Sequence, residues 1–168
     1  AICLALGREG FSVVVNHLEK YTDGAVQTVQ KIESLGAKAM AVEADVTNEE
    51  QVAYTVELAV KKFGKVDILV SNAGIASRGH SVVDSAIEEA RRLFDVHALG
   101  AMRFTKLVVP IMRQLQRGDV IFISSHATQI YRPLGGPYVM AKAALEAMAR
   151  TLAKEERENN IRVNVVAP

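Results

Sequence analysis

Asp119-Val-Ile-Phe-Ile-Ser-Ser125, and after it Gly135-Gly-Pro-Tyr-Val-Met-Ala-Lys142, spell a strand, a loop and the start of a helix. A short apolar, β-branched run reads as a buried strand. Its two closing hydroxyls lie at the carboxyl end, where open α/β sheets place their chemistry. Gly135-Gly136-Pro137 then punctuates a loop and starts a helix with Pro near its first position, so Tyr138 falls in the first turn. Tyr138 and Lys142 stand four residues apart, one above the other on one helix face. The ammonium's charge favours the phenolate, which makes the phenol a usable proton donor and acceptor near neutrality. A serine hydroxyl held nearby, that of Ser125, can hydrogen-bond the oxygen of a reacting carbonyl. The spacing alone also fits a packed Tyr beside a solvated Lys; the strand before it and the Gly-Gly-Pro start set this instance apart.

Outward from that unit, short β-branched runs alternate with longer helical stretches. Phe11-Ser-Val-Val-Val-Asn16 reads as a strand, followed by a helix over 20–35 that ends at Gly36. Lys38-Ala-Met-Ala-Val-Glu43 is the next strand, and Thr47-Asn-Glu-Glu50 reads as a capping box opening a helix to Phe63-Gly64. Val66-Asp-Ile-Leu-Val70 is a third strand, leading into Ser71-Asn-Ala-Gly74. A second capping box, Ser85-Ala-Ile-Glu88, opens a long helix to about Gln116. On that helix Leu93, Val96, Met102, Leu107 and Ile111 are expected in the core, with Phe104, Val108 and Met112 forming a second apolar face. Ile161-Arg-Val-Asn-Val-Val166 closes the series. Apolar strands alternating with helices predict an α/β fold, a Rossmann-like, doubly wound parallel sheet with helices on both faces. No repeat or linker interrupts it, so residues 1–168 read as a single, partial Rossmann-type domain.

Bulk properties exclude several classes. A net charge of +1 offers no basic stripe, so no nucleic-acid partner is expected. With 49% hydrophobic and 23% charged residues the composition is that of a globular protein. No apolar run approaches a membrane span, so no membrane partner is expected. The single cysteine, Cys3, cannot form an internal disulfide, which points to a reducing, cytoplasmic setting and a packing role. His80 and His126 have no metal-ligand spacing, so no metal is expected. His126, Tyr131 and Arg132 read as loop residues near the mouth of the site.

Taken together, these residues resemble the short-chain dehydrogenase/reductase family, with the flavour of its 3-oxoacyl-carrier-protein reductases and small carbonyl reductases. Asp45-Val46 matches the family's acidic pair at the adenine end of the cofactor. Asn72-Ala73-Gly74 matches its Asn-Ala-Gly turn, which lies against the cofactor's ribose. Ser125, Tyr138 and Lys142 match its catalytic serine, tyrosine and lysine, and Asn164-Val-Val-Ala-Pro168 resembles its final strand. The resemblance implies hydride transfer between a nicotinamide and a small-molecule carbonyl or secondary alcohol. Tyr138 would then move the proton, Ser125 orient the carbonyl oxygen, and Lys142 support the phenolate and bond the nicotinamide ribose. It also implies a homodimer or homotetramer paired through the long helix and the Tyr138 helix.

Three departures qualify the match. The family's first strand and Gly-rich phosphate turn have no counterpart here, and Gly7-Arg-Glu-Gly10 reads as a helix stop instead. That strand is central in the family, and leaving two inner edges unpaired is costly, so the chain is expected to be part of a longer protein truncated at both ends. His97, in Phe94-Asp-Val-His-Ala-Leu-Gly100, stands where an asparagine of a water-mediated proton relay is usual. It reads either as a holder of that water or as a helix histidine bonded to a nearby carbonyl. Finally, the first strand ends Val15-Asn16-His17-Leu18 with no carboxylate before Glu19. With Asn16 counted among the cofactor contacts, that absence favours NADP, and NAD stays open. The competing reading is a non-catalytic Rossmann-type binding or regulatory protein, suggested by the missing turn and His97. An epimerase or dehydratase acting on nucleotide sugars shares Tyr-x-x-x-Lys but not the surrounding motifs.

Overall fold

Residues Ala1–Pro168 are all described by the computed structural model, which divides the chain into two compact units, Ala1–Gly64 and Lys65–Pro168. In the first, helix α1 (Ile2–Arg8) leads to strand β1 (Val13–His17), a 3-10 turn (Glu19–Tyr21), α2 (Thr22–Glu33), β2 (Ala39–Glu43) and α3 (Glu49–Phe63). β1 and β2 pair in parallel, Val13 opposite Ala39. Their core is Val13, Ile32 and Ala39, with Cys3, Leu4 and Val29 packed at its margin. Burial there raises the Cys3 thiol above its ordinary value, in keeping with a packing cysteine. The amide of Asn16 donates to the carbonyls of Val42 (3.3 Å) and Ala44 (2.9 Å), fastening β1 to the end of β2.

The Thr47 capping box does not form as expected. The Thr47 hydroxyl donates to Asp45 Oδ1 at 2.8 Å, and Asn48 caps α3 instead, accepting from the Gln51 amide at 3.0 Å. α3 ends at Gly64, whose φ of 82° is the left-handed conformation that glycine adopts without a Cβ penalty.

The second unit holds β3 (Ile68–Ser71), α4 (Ile87–Phe94), a π-helical turn (Asp95–Leu99), α5 (Gly100–Leu115), β4 (Gly118–Ile123), a one-turn α6 (Ala127–Ile130), α7 (Gly136–Glu155), a 3-10 turn (Arg157–Asn159) and β5 (Ile161–Val166). The strands lie in the order β3-β4-β5, all parallel, with β4 in the middle. Burial alternates along β4, and Val120 and Phe122 lose all solvent exposure. α5 packs on β3 and β4, while α7 packs on β4, β5 and α4. At the far ends of α5 and α7, Arg113 grips the buried Glu156 with two nitrogens, and Asn159 donates to the same carboxylate. Those donors, above all Arg113, hold Glu156 below the usual carboxylate range against the opposing effect of burial. No helix is long and apolar enough to cross a membrane.

Two expectations for the long helix need correction. The Ser85 hydroxyl donates to the Ser81 carbonyl (2.7 Å) rather than capping, and the helix starts at Ile87 after Ala86. The apolar stripe also changes phase at the π-helical turn. Leu93 is buried, but Met102 and Leu107 are exposed, and burial continues instead through Ala98, Ala101, Val108, Val109 and Met112. An added residue in one turn rotates everything after it around the helix axis, so the face expected to be secondary becomes the core.

Candidate active site

β3 ends at Ser71, and the chain then turns through Asn72, Ala73 and Gly74 to Ile75. The end of β4, the π-helical turn and the first two turns of α7 converge on this segment. Between them lies a cleft of about 470 Å³ whose walls include Asn72, Gly74, Ile75, His97, Ile123, Ser124, Tyr138 and Lys142. Tyr138 and Lys142 therefore share one wall, as their spacing requires.

Lys142 is almost wholly buried, and its Nζ donates to the Ile123 carbonyl at 2.6 Å. Burial lowers its amine from the ordinary 10.5 to about 8. Because the folded value lies below the unfolded one, stability should rise with pH from about 8 towards 10.5, and stay flat with respect to this group below that window. Melting temperatures of the wild type and Lys142→Met, compared from neutral pH to pH about 10, should therefore differ by a constant at neutrality and shift in favour of the wild type above pH 8. A difference that stayed constant throughout would mean that Lys142 is not desolvated.

The Tyr138 ring lies between two partners. Lys142 Nζ sits 5.8 Å from its centroid, and the His97 ring meets it edge-on, 5.2 Å away at 89°. His97 is 2% exposed. Its Nε2 stands 2.8 Å from the Ile75 carbonyl and 3.3 Å from the Ile75 amide nitrogen. One ring nitrogen cannot donate and accept at once, and the shorter contact assigns the proton to Nε2, donating to the carbonyl. Nδ1 then carries a lone pair and is buried without a hydrogen-bond partner. Burial first, then the nearby charges of Lys142 and Arg92, outweigh the Ile75 bond and lower the imidazole below its ordinary value, which keeps it neutral. Of the two readings of His97, the bond to a nearby carbonyl is thus present.

His97 also explains the glycine of Asn72-Ala73-Gly74. A Cβ on Gly74 would lie 2.7 Å from His97 Cε1 and 3.2 Å from Nδ1. Gly74→Ala should destabilise the fold by about 1–3 kcal/mol through this overlap. The double variant Gly74→Ala/His97→Ala should show a clearly smaller penalty for the alanine, read as chemical-denaturation midpoints. Equal penalties in the two backgrounds would remove His97 as the cause.

Ser125 is half-buried, one residue past the wall residue Ser124. Its Oγ accepts from the Ala127 amide at 3.2 Å, and its carbonyl accepts from the Thr128 amide, with the Thr128 hydroxyl 2.9 Å away. His126 is exposed beside it and contacts Gln129. α6, which follows, was not expected from the sequence. Asn16, Asp45 and Val46 belong to the first unit. There Asp45 Oδ1 accepts from the amide and hydroxyl of Thr47, and Val46 is buried. Sequence reasoning missed Ile75, Ser124 and Glu146. Glu146 carried a usable signal, since 138, 142 and 146 form one i, i+4 stripe.

A family model described as short chain dehydrogenase matches residues 1–168. An uncharacterized oxidoreductase of Methylorubrum extorquens is 38% identical over 100% of this chain and 66% of its own length. A 3-oxoacyl-[acyl-carrier-protein] reductase of Synechocystis is 34% identical over 100% of this chain and 67% of its length. Among solved structures, an NAD+-bound xylitol dehydrogenase superposes with a TM-score of 0.93 at 28% identity, covering 99% of this chain and 63% of that one. The chain thus spans about two thirds of the length of the relatives it matches. With a match along its whole length, parallel sheets flanked by helices and Rossmann-fold dehydrogenases as structural neighbours, the chain belongs to the short chain dehydrogenase family.

Proposed function

We propose that this chain carries the catalytic centre of a nicotinamide-dependent oxidoreductase acting on a small-molecule carbonyl or secondary alcohol, with Tyr138 as general acid and base. The observation that carries this reading is the seat of Tyr138 on the cleft wall, beside the buried ammonium of Lys142 and the edge of His97. The cleft suits the nicotinamide end of such a cofactor. It offers a buried amine as donor and, on the opposite segment, the exposed Asn72 and Gly74. When bound, the nicotinamide supplies or takes up the hydride.

The chain's own residues do the rest. Tyr138 gives its proton to the carbonyl oxygen in reduction and takes it back in oxidation. Lys142 holds its ammonium beside the Tyr138 ring and offers hydrogens to the ribose. Ser125 donates a hydrogen bond to the substrate oxygen and fixes its orientation. Asn72, Ala73 and Gly74 line the ribose side. The uncharged end of β1 favours NADP over NAD, although the xylitol dehydrogenase cited above is described with NAD+. Exposed Phe94, Leu99, Met102 and Leu107 along α4, the π-helical turn and α5 support pairing with a second copy in a homodimer or homotetramer. The lone cysteine fits a cytoplasmic setting.

The test is oxidation of NADPH and of NADH by the full-length protein. A carbonyl panel would contain a 3-oxoacyl thioester, a 3-oxo ester, a keto-steroid and an open-chain ketose. Turnover with NADPH that disappears in Tyr138→Phe supports the reading. Nucleotide binding without turnover on any carbonyl favours the non-catalytic alternative.

A further inference from the structure

Glu146 has no part in the chemistry just described, yet its carboxylate is tied to the turn that carries Ser125. It lies on α7, one helical turn beyond Lys142 and two beyond Tyr138, and its side chain is only 13% exposed. One oxygen, Oε1, accepts from the Ser124 hydroxyl at 2.6 Å and from the Thr128 hydroxyl at 2.7 Å. The other, Oε2, accepts from Arg150 at 3.0 Å. Both hydroxyl residues are buried, and they stand on either side of Ser125 in the chain.

Resting on the proposed role of Ser125, we propose that Glu146 is a positioning residue that sets the serine hydroxyl against Tyr138. The Thr128 hydroxyl also lies 2.9 Å from the Ser125 carbonyl, but it has one proton to give. The carboxylate is the stronger and nearer acceptor, so the proton goes there. Burial acts to raise the Glu146 carboxyl, but the Ser124, Thr128 and Arg150 contacts outweigh it and leave the group below its ordinary value, ionised and accepting.

The geometry supplies a second tether in register with the first. Lys142 Nζ holds the Ile123 carbonyl, and Glu146, one turn on, holds Ser124 and Thr128. The stripe that begins with Tyr138 therefore grips the end of β4 and the following turn at three places around Ser125. The Ser125 hydroxyl itself is held only by the Ala127 amide within that turn. The Ser124 and His126 amides also donate to the Val166 and Pro168 carbonyls, which ties the turn to β5 and its end. The ties that set it against Tyr138 run to α7, and the Glu146 carboxylate supplies them on both sides of Ser125.

The test uses Glu146→Leu and Glu146→Gln in the full-length protein, each alone and combined with Ser125→Ala. The readouts are NADPH-dependent reduction of the best carbonyl in the panel and backbone amide exchange over residues 124–131. Glu146→Leu should lower kcat by roughly tenfold or more, as expected when a reacting group is slightly misplaced. KM for NADPH should stay unchanged, and exchange at Ala127 and Thr128 should quicken. Glu146→Gln keeps a carbonyl oxygen for both hydroxyls and should restore most of kcat and the slow exchange. In the Ser125→Ala background Glu146→Leu should cost nothing further, because two residues acting through one hydroxyl are not additive.

Equal kcat losses in both backgrounds, or Glu146→Gln no better than Glu146→Leu, would overturn the proposal and leave Glu146 a general stabiliser. If Glu146→Leu does not fold, Ser124→Ala/Thr128→Val removes the same bonds from the other side and is held to the same outcomes. If Ser125→Ala keeps wild-type kcat, the roles of Ser125 and Glu146 fall together while that of Tyr138 stands. If the wild type reduces no carbonyl, the proposed activity fails, and the exchange comparison alone decides whether Glu146 orders the turn.

Discussion

Tyr138→Phe is expected to cut carbonyl turnover by about a thousandfold, the middle of the range for loss of a general acid–base group. Nicotinamide nucleotide binding should persist. Phenylalanine keeps the ring, so it keeps the edge contact with His97 and the seat beside the Lys142 ammonium. Only the oxygen that moves the proton is lost. Steady-state kinetics together with a fluorescence titration of NADPH separate the two effects. Wild-type turnover in the variant would remove Tyr138 from the chemistry, and loss of nucleotide binding would make its role structural.

The largest effect on stability is expected from Phe122→Ala. Phe122 lies on β4, the middle strand of the β3-β4-β5 sheet, opposite Ser71 on one side and Val165 on the other, and has no solvent exposure. Removing a buried aromatic ring forfeits its burial and leaves a cavity, at a cost of about 3–5 kcal/mol. For a chain of this size that corresponds to a fall of about 6–20 °C in Tm. Val83→Ala is the control, since Val83 is 91% exposed and such changes stay within about 0.5 kcal/mol. Thermal melting of the three proteins reads both. A Phe122→Ala variant that melts like the control would mean that β4 is not the packed centre of its sheet. The site depends on that centre, because Ile123 and Ser124 extend directly from it into the cleft wall.

Local signals in the sequence determined the element order and the chemistry-bearing stripe. Alternating β-branched runs and helical stretches fix their own types, because periodicity is a property of neighbouring residues. Gly135-Gly136-Pro137 sets the start of α7, and from there about 3.6 residues per turn place Tyr138 and Lys142 on one face whatever the rest of the chain does. Gly64 and Gly36 likewise mark their own turns, both with positive φ.

Packing between distant segments set the rest, for reasons that local pattern does not contain. The π-helical turn at Asp95–Leu99 re-phased the long helix, so Met112 and Val108 took the buried side expected for Leu107 and Met102. Thr47 and Ser85 found other oxygens nearby and did not cap. His97 received its place from a backbone carbonyl 22 residues away and a ring on another helix. Glu146 gained its role only when α7 came to lie beside the end of β4. A hydroxyl, an imidazole or a carboxylate can satisfy its hydrogen bonds with many partners, and chain packing selects which of them is in reach. Local residue pattern established which groups could do the chemistry, and the packing of β3, β4 and α7 selected which of them meet, because those contacts join residues far apart in the chain.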